Sequence, residues 1–205
     1  MAEWIALVVS VVALVFASVT FWRTEIKPYT FIIPPPVVTQ VNDGLASLIL
    51  DLAFQNDGGI FTLVTDIRIR CLSKGKVLPV VLHAQKTLER MSKLSSLSLS
   101  NETTVASVFL PFAINRAETA EKRIYLAPYE SELPILEAHI IEVDTLVFDV
   151  FLDGTWKNLY AMPYTDFQSK FKGQGIIEIP EEGFAPRWYP EQTPIKVTGP
   201  RRVLR

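Results

Sequence analysis

The chain has 205 residues, with 20 Lys and Arg against 22 Asp and Glu, two His, one Cys, 49% hydrophobic residues and a mean hydropathy of +0.24. That balance excludes a disordered chain and a basic nucleic-acid binder. The hydrophobic excess is local: residues 4 to 22 hold 16 apolar side chains in 19 positions and no charge, the composition of a membrane span. Beyond residue 23 lie 182 residues with 19 basic and 21 acidic groups, enough for one domain with its own core and no need of disulfides or metal.

At about 1.5 Å per residue, Trp4 to Trp22 spans roughly 28 Å as a helix, close to the thickness of a bilayer core. Trp4 at one end and Phe21 with Trp22 at the other stand where amphipathic rings favour the headgroup boundary. A cleaved signal peptide is the rival, with Val15 and Ala17 as the small residues before the cut, but the charged start is missing and the apolar run is too long. Arg23 and Lys27 follow the span and no Lys or Arg precedes it, so positive-inside logic puts the following domain in the cytoplasm. The single Cys agrees with a reducing compartment, whereas Asn101-Glu102-Thr103, a glycosylation tripeptide, would argue the other way and is read as a polar turn. Ala6, Ser10, Ala13, Ala17 and Thr20 recur at steps of 4, 3, 4 and 3, which places them on one arc of the helix. A face of small residues lets membrane helices approach closely, so a second copy or another membrane subunit is the expected neighbour.

Residues 24–44 form an extended linker and first strand: Tyr29 to Ile33 are β-prone, Pro34-Pro35-Pro36 cannot continue a ladder, and Asn42-Asp43-Gly44 is a turn. The domain proper covers 45–172. Leu48, Leu50, Leu52 and Phe54 alternate with Ile49, Asp51, Ala53 and Gln55, the period of a strand with one buried face. After Asn56-Asp57-Gly58-Gly59, a second strand puts Phe61, Leu63, Ile67, Ile69 and Cys71 on one face, and the reversal suggests that the two strands are neighbours. Ser73-Lys74-Gly75-Lys76 is a turn before a short strand from Val77 to Leu82. Residues 84 to 101 are open between a helix, from Leu88, Met91 and Leu94, and a Ser-rich loop. Strands are then expected at Val105 to Ile114 and Lys122 to Ala127, and the β-branched apolar stretch from Glu132 runs to Leu152.

Asp153-Gly154 is a two-residue hairpin signal, with Thr155 to Met162 as the return strand. It pairs Leu152 with Thr155, Phe151 with Trp156, Asp149 with Asn158 and Val147 with Tyr160. Leu146, Phe148, Val150, Leu152 and Leu159 go to the core. Val147, Phe151, Trp156 and Tyr160 form an opposite aromatic face, to be covered by the domain's own tail or by a partner. The tail, 173–205, is punctuated by Pro180, Pro186, Pro190, Pro194 and Pro200, and Phe184, Trp188 and Tyr189 are too apolar for an idle linker. Arg201, Arg202 and Arg205 would approach anionic lipid on a cytoplasmic face.

Leu50 to Gly59, with its Phe54-Gln55-Asn56-Asp57-Gly58, and Phe112 to Pro128, a strand, an acidic loop and a strand ending in Pro, resemble two signatures of immunoglobulin-like modules. The resemblance covers residues 48 to 128 and lacks the paired cysteines and core tryptophan of antibody domains. It implies an antiparallel immunoglobulin-like β-sandwich, so the expected fold is mainly β, preceded by one N-terminal transmembrane helix, and the implied use is binding.

Chemistry is sparse. His83 and His139 stand far apart and Cys71 falls on an apolar parity, so no zinc-ligand pair exists. There is no G-x-S-x-G, no H-E-x-x-H and no phosphate loop. Asp43, Asp57 and Asp153 each precede Gly and are read as turn formers rather than calcium ligands. No cofactor and no nucleic acid are expected. The expectation is a single-pass membrane protein, touching the bilayer and other membrane subunits or its own copies, whose β domain is a binding or assembly module. A membrane-tethered hydrolase and a small-ligand sensor are the alternatives.

Overall fold

In a computed structural model of the chain, residues 1–23, 28–42, 45, 47–91, 103–165, 176–178, 187–189 and 193–199 are described. The first element, α1 (Ala2–Phe21), is the apolar run. Glu3–Phe21 has a mean hydropathy of 2.5 over its best window and none of that window is buried, so the helix is long and apolar enough to cross a membrane. Among the described residues twelve strands follow: β1 (Thr30–Ile33), β2 (Val37–Asn42), β3 (Leu48–Asn56), β4 (Thr62–Ser73), β5 (Lys76–Met91), β6 (Thr103–Val108), β7 (Phe112–Ile114) and β8 (Thr119–Ala127), then β9 (Thr145–Leu152), β10 (Thr155–Pro163), β11 (Ile176–Glu178) and β12 (Ile195–Thr198). A short helix, α2 (Leu133–His139), stands between β8 and β9, flanked by single 3-10 turns.

All the strand pairs are antiparallel, and they form one sheet in the order β10-β9-β4-β5-β8-β3-β1-β12, with β2, β6, β7 and β11 paired alongside. The expected immunoglobulin-like sandwich is therefore not what the hydrogen bonding builds: one continuous sheet curls into a barrel-like shape. The physical cause is local. Five pairings carry a register shift, at Val38/Gln40, Val64/Asp66, Arg70/Leu72, Ala84/Lys86 and Asn158/Tyr160. Each such bulge bends the strand and increases its twist. Two tight turns support the meander: Lys74 and Gly75, and Asp153 and Gly154, all have positive φ, the geometry that matches the twist of a two-residue hairpin.

The bulges also overturn several sequence expectations. In β4 the shift at Val64/Asp66 reverses the buried parity, so Thr62 and Val64 face inward while Phe61 and Leu63 are exposed; Ile67, Ile69 and Cys71 are buried as expected. Strands β3 and β4 are not partners: β3 pairs with β8, β1 and β2, and β4 with β5, β9 and β7. Residues 84–91, open between helix and loop, continue β5 as a strand of 16 residues, while 92–102 lie outside the described residues. The stretch from Glu132 opens with α2, its Pro134 in the first turn, and becomes a strand only at Thr145.

The interior is filled by Phe31, Ile33, Leu50, Phe54, Ile67, Ile69 and Phe148, all fully buried. Across its last gap, closure comes from the tail. Tyr189 exchanges two backbone bonds with Ala161 of β10, at 2.9 and 2.6 Å, and β12 pairs with β1 from Thr30↔Thr198 to Ile33↔Ile195. The same stretch of chain thus joins both ends of the strand path. Trp188, fully buried, packs edge-on against Phe148 and Tyr160 and donates its indole N–H to the Pro36 carbonyl at 2.8 Å. The Tyr160 hydroxyl donates to the Ile33 carbonyl at 2.5 Å and accepts from the Ile195 N–H at 3.0 Å, and the Thr193 carbonyl lies 3.1 Å away. Trp188→Ala should lower unfolding free energy by about 3–5 kcal/mol. Tyr160→Phe, which keeps the ring but strands buried backbone partners, should cost about 1–3 kcal/mol. Denaturant titration of the full chain in detergent measures both.

Candidate functional site

The hairpin β9–β10 keeps the expected partners from Leu152↔Thr155 to Asp149↔Asn158 and then departs. The bulge at Asn158/Tyr160 pairs Tyr160 with Phe148 and Ala161 with Val147, correcting the expected Val147–Tyr160 pair. Tyr160 accordingly turns into the core and Val147 is buried at 3% exposure. Phe151 and Trp156 remain half-buried neighbours on the outer side, their rings 5.1 Å apart and steeply tilted. Leu146, Phe148, Val150, Leu152 and Leu159 occupy the core as their alternation requires.

Beside that aromatic pair, Asp149 is only 1% exposed and is held by two arginines of β4. Arg70 grips it with two bonds, Nε to Oδ2 at 2.5 Å and Nη2 to Oδ1 at 3.0 Å, and Arg68 adds a third at 3.0 Å. The carboxylate raises the Arg70 pKa above its ordinary value chiefly through those hydrogen bonds. The Arg68 guanidinium also stacks 3.7 Å above Trp156, so one cation serves both the carboxylate and the ring. Among the described tail residues, Trp188 packs on Phe148 and on Tyr160 of the expected face, and Tyr189 pairs with Ala161; neither ring contact reaches Phe151 or Trp156. The signal that could have shown the cluster is the outward parity of Arg68, Arg70 and Asp149 on adjoining strands, which a single sequence does not pair. Asp149→Asn removes the charge that two part-buried arginines face and should destabilise the domain by about 3 kcal/mol, read by thermal or urea unfolding.

A groove of about 440 Å³ lies between β2, β3 and β8, with Pro34, Pro35, Leu52 and Leu88 among its apolar walls. The Asp51–Arg123 pair borders it, bidentate at 2.6 and 2.7 Å. Trp4, Phe21 and Trp22, expected at the headgroup boundary, are exposed at the ends of the helix. Ala6, Ser10, Ala13, Ala17 and Thr20 are exposed along it, and the Ser10 hydroxyl is satisfied within the helix by the Ala6 carbonyl at 2.9 Å.

Of the titratable groups singled out from sequence, His83 stacks on Tyr129 at 4.6 Å, and His139 approaches Glu142 at 3.3 Å. Asp153 accepts the Tyr29 hydroxyl, and Asp43 lies outside the described residues. Burial, then that hydrogen bond, push the Tyr29 pKa well above its ordinary value. Among the described residues no three His, Cys, Asp or Glu side chains are grouped to hold a metal ion. Comparison with protein-family models, curated proteins and solved structures gives no match for the chain.

Cys71 is fully buried, and burial pushes its thiol up to about 12. Because the folded state favours the neutral thiol, the stability linked to this group is complete below its ordinary value of 9.0 and is lost as pH rises towards 12. Alkylating reagents at pH 8 should therefore leave native Cys71 unmodified over hours and label it fully in denaturant, as mass spectrometry of the intact chain reports.

Proposed function

We propose that this chain is a single-pass membrane protein whose barrel-like β domain is a binding or assembly subunit of a membrane complex, held at the cytoplasmic face. The observation that carries the reading is α1: a helix of 20 residues, uncharged after Glu3, with none of its span buried by the domain. Such a surface requires lipid or other helices around it. The side follows from Arg23 and Lys27 after the span.

Assembly is supported by the small face of α1, where Ala6, Ala13 and Ala17 permit close backbone approach and Ser10 carries its own hydrogen bond. The domain supports a rigid scaffold role: its sheet is closed by its own tail, and its charged face is satisfied internally by Arg68, Arg70 and Asp149. The groove bordered by Pro34 and Pro35 is the concave surface on which we expect a partner segment.

Replacing Ala13 and Ala17 by Leu should shift the detergent-solubilised particle to a smaller mass in size-exclusion chromatography with light scattering, and should deplete subunits recovered with the native protein. An unchanged mass and an unchanged set of subunits would contradict the assembly reading.

A further inference from the structure

The connection between anchor and domain is short. Five peptide steps join Arg23 to Pro28 and reach at most about 18 Å. The end of the domain that holds Tyr29 must therefore lie close to the membrane boundary marked by Trp22. Three other segments are fixed to that end. Gly58 lies so close to the Tyr29 backbone that a Cβ would overlap it, and the Asp57 N–H donates to the Thr30 carbonyl at 2.8 Å. The turn at Asn115–Glu118 is tied to the same place through Asn56, whose carbonyl accepts the Ala117 N–H at 2.9 Å. The Gly199 N–H donates to the Tyr29 carbonyl at 3.2 Å, so the chain leaves β12 on the same side.

Asn56 is fully buried and makes this end rigid: its amide donates to the Ile60 and Ile114 carbonyls at 2.8 and 3.2 Å, and its oxygen accepts the Gly58 N–H at 2.9 Å. Between the end of α1 and these turns lies a pocket of about 190 Å³, lined by Arg23, Asp57, Gly58, Gly59, Arg116 and Ala117. Arg23 and Arg116 form no ion pair or hydrogen bond with a described residue, and Asp57 is the one acid on the wall. Two guanidinium groups with no partner among the described residues, beside a glycine backbone, suit a phosphate, which takes paired N–H donors from arginine.

We propose that this pocket holds the phosphate of an anionic phospholipid headgroup in the leaflet where α1 ends, so that the domain is seated on the lipid surface as well as tethered to it. The inference rests on the membrane reading of α1. Position decides between lipid and free phosphate: Arg23 adjoins Trp22 at the headgroup level, where anionic lipid is drawn to basic side chains.

Native mass spectrometry of the full chain in mild detergent tests this, with phosphatidylglycerol, phosphatidylcholine or inorganic phosphate added. Phosphatidylglycerol should bind the wild type in preference to phosphatidylcholine, and Arg23→Gln with Arg116→Gln should weaken it by about thirtyfold without moving the melting temperature. Unchanged phosphatidylglycerol binding, an equal loss for both lipids, or displacement by inorganic phosphate at comparable concentration would each overturn the assignment. Carbonate extraction of wild-type membranes separates the two layers of the argument. Release of the protein would break the anchor reading itself, whereas retention without headgroup selectivity would break only the site.

Discussion

The contact between Trp188 and Tyr160 governs the rest of the molecule. Without the tail, the strand path β10-β9-β4-β5-β8-β3-β1 would leave β10 and β1 as open edges, each a row of unpaired backbone groups. Here the tail supplies the missing partners: Tyr189 takes the β10 edge, β12 takes the β1 edge, and the indole between them fills the space over Phe148. The Tyr160 hydroxyl then joins β10 to β1 and to the start of β12 through Ile33 and Ile195. A hydroxyl that donates once and accepts once is fully used in that position, and burial raises its pKa above the ordinary value.

Closure also decides where function can reside. Because β12 runs antiparallel to β1, Tyr29 and Gly199 stand together at one end of the domain, the end nearest α1. The end nearest α1 is consequently crowded with chain connections, arginines and glycine turns, while the turn at Lys74-Gly75 belongs to the far end of the long β4–β5 hairpin. A domain arranged this way has its sides and its far end away from α1. The buried Asp149 with its two arginines stiffens one of those sides, and Arg68 over Trp156 keeps the aromatic pair from being a loose apolar patch.

Much of this was legible from single residues. The apolar N-terminal helix, the alternation of Leu48 to Phe54, the Asp153-Gly154 turn and the inward set on β9 follow from composition and period, which depend only on local chemistry. The misreadings have one source. A bulge adds a residue without any required sequence mark, so parity carried across Thr65 or Leu159 turns Phe61, Leu63 and Tyr160 to the wrong side. Topology was hidden for a related reason: Asn56-Asp57-Gly58-Gly59 is written like a hairpin turn, yet its Gly58 is needed for close approach to Tyr29 rather than for pairing β3 with β4. The pocket at Arg23 and Arg116 joins residues far apart in the chain, and no spacing rule anticipates it. Trp188 was marked as too apolar to be idle, but only the fold explains why: it is a core residue delivered from the tail.

Closure of the sheet by residues 187–189 and 193–199 is the claim on which both the fold and the geometry of the end nearest α1 rest. Residue-resolved amide hydrogen exchange on the full chain in detergent tests it most directly. If the tail is an integral part of the sheet, the amides of Tyr189 and of β12 that bond to β10 and β1 will exchange only with the global unfolding that releases β4 and β9. Exchange of those tail amides within seconds, while β4 and β9 stay protected, would contradict the account.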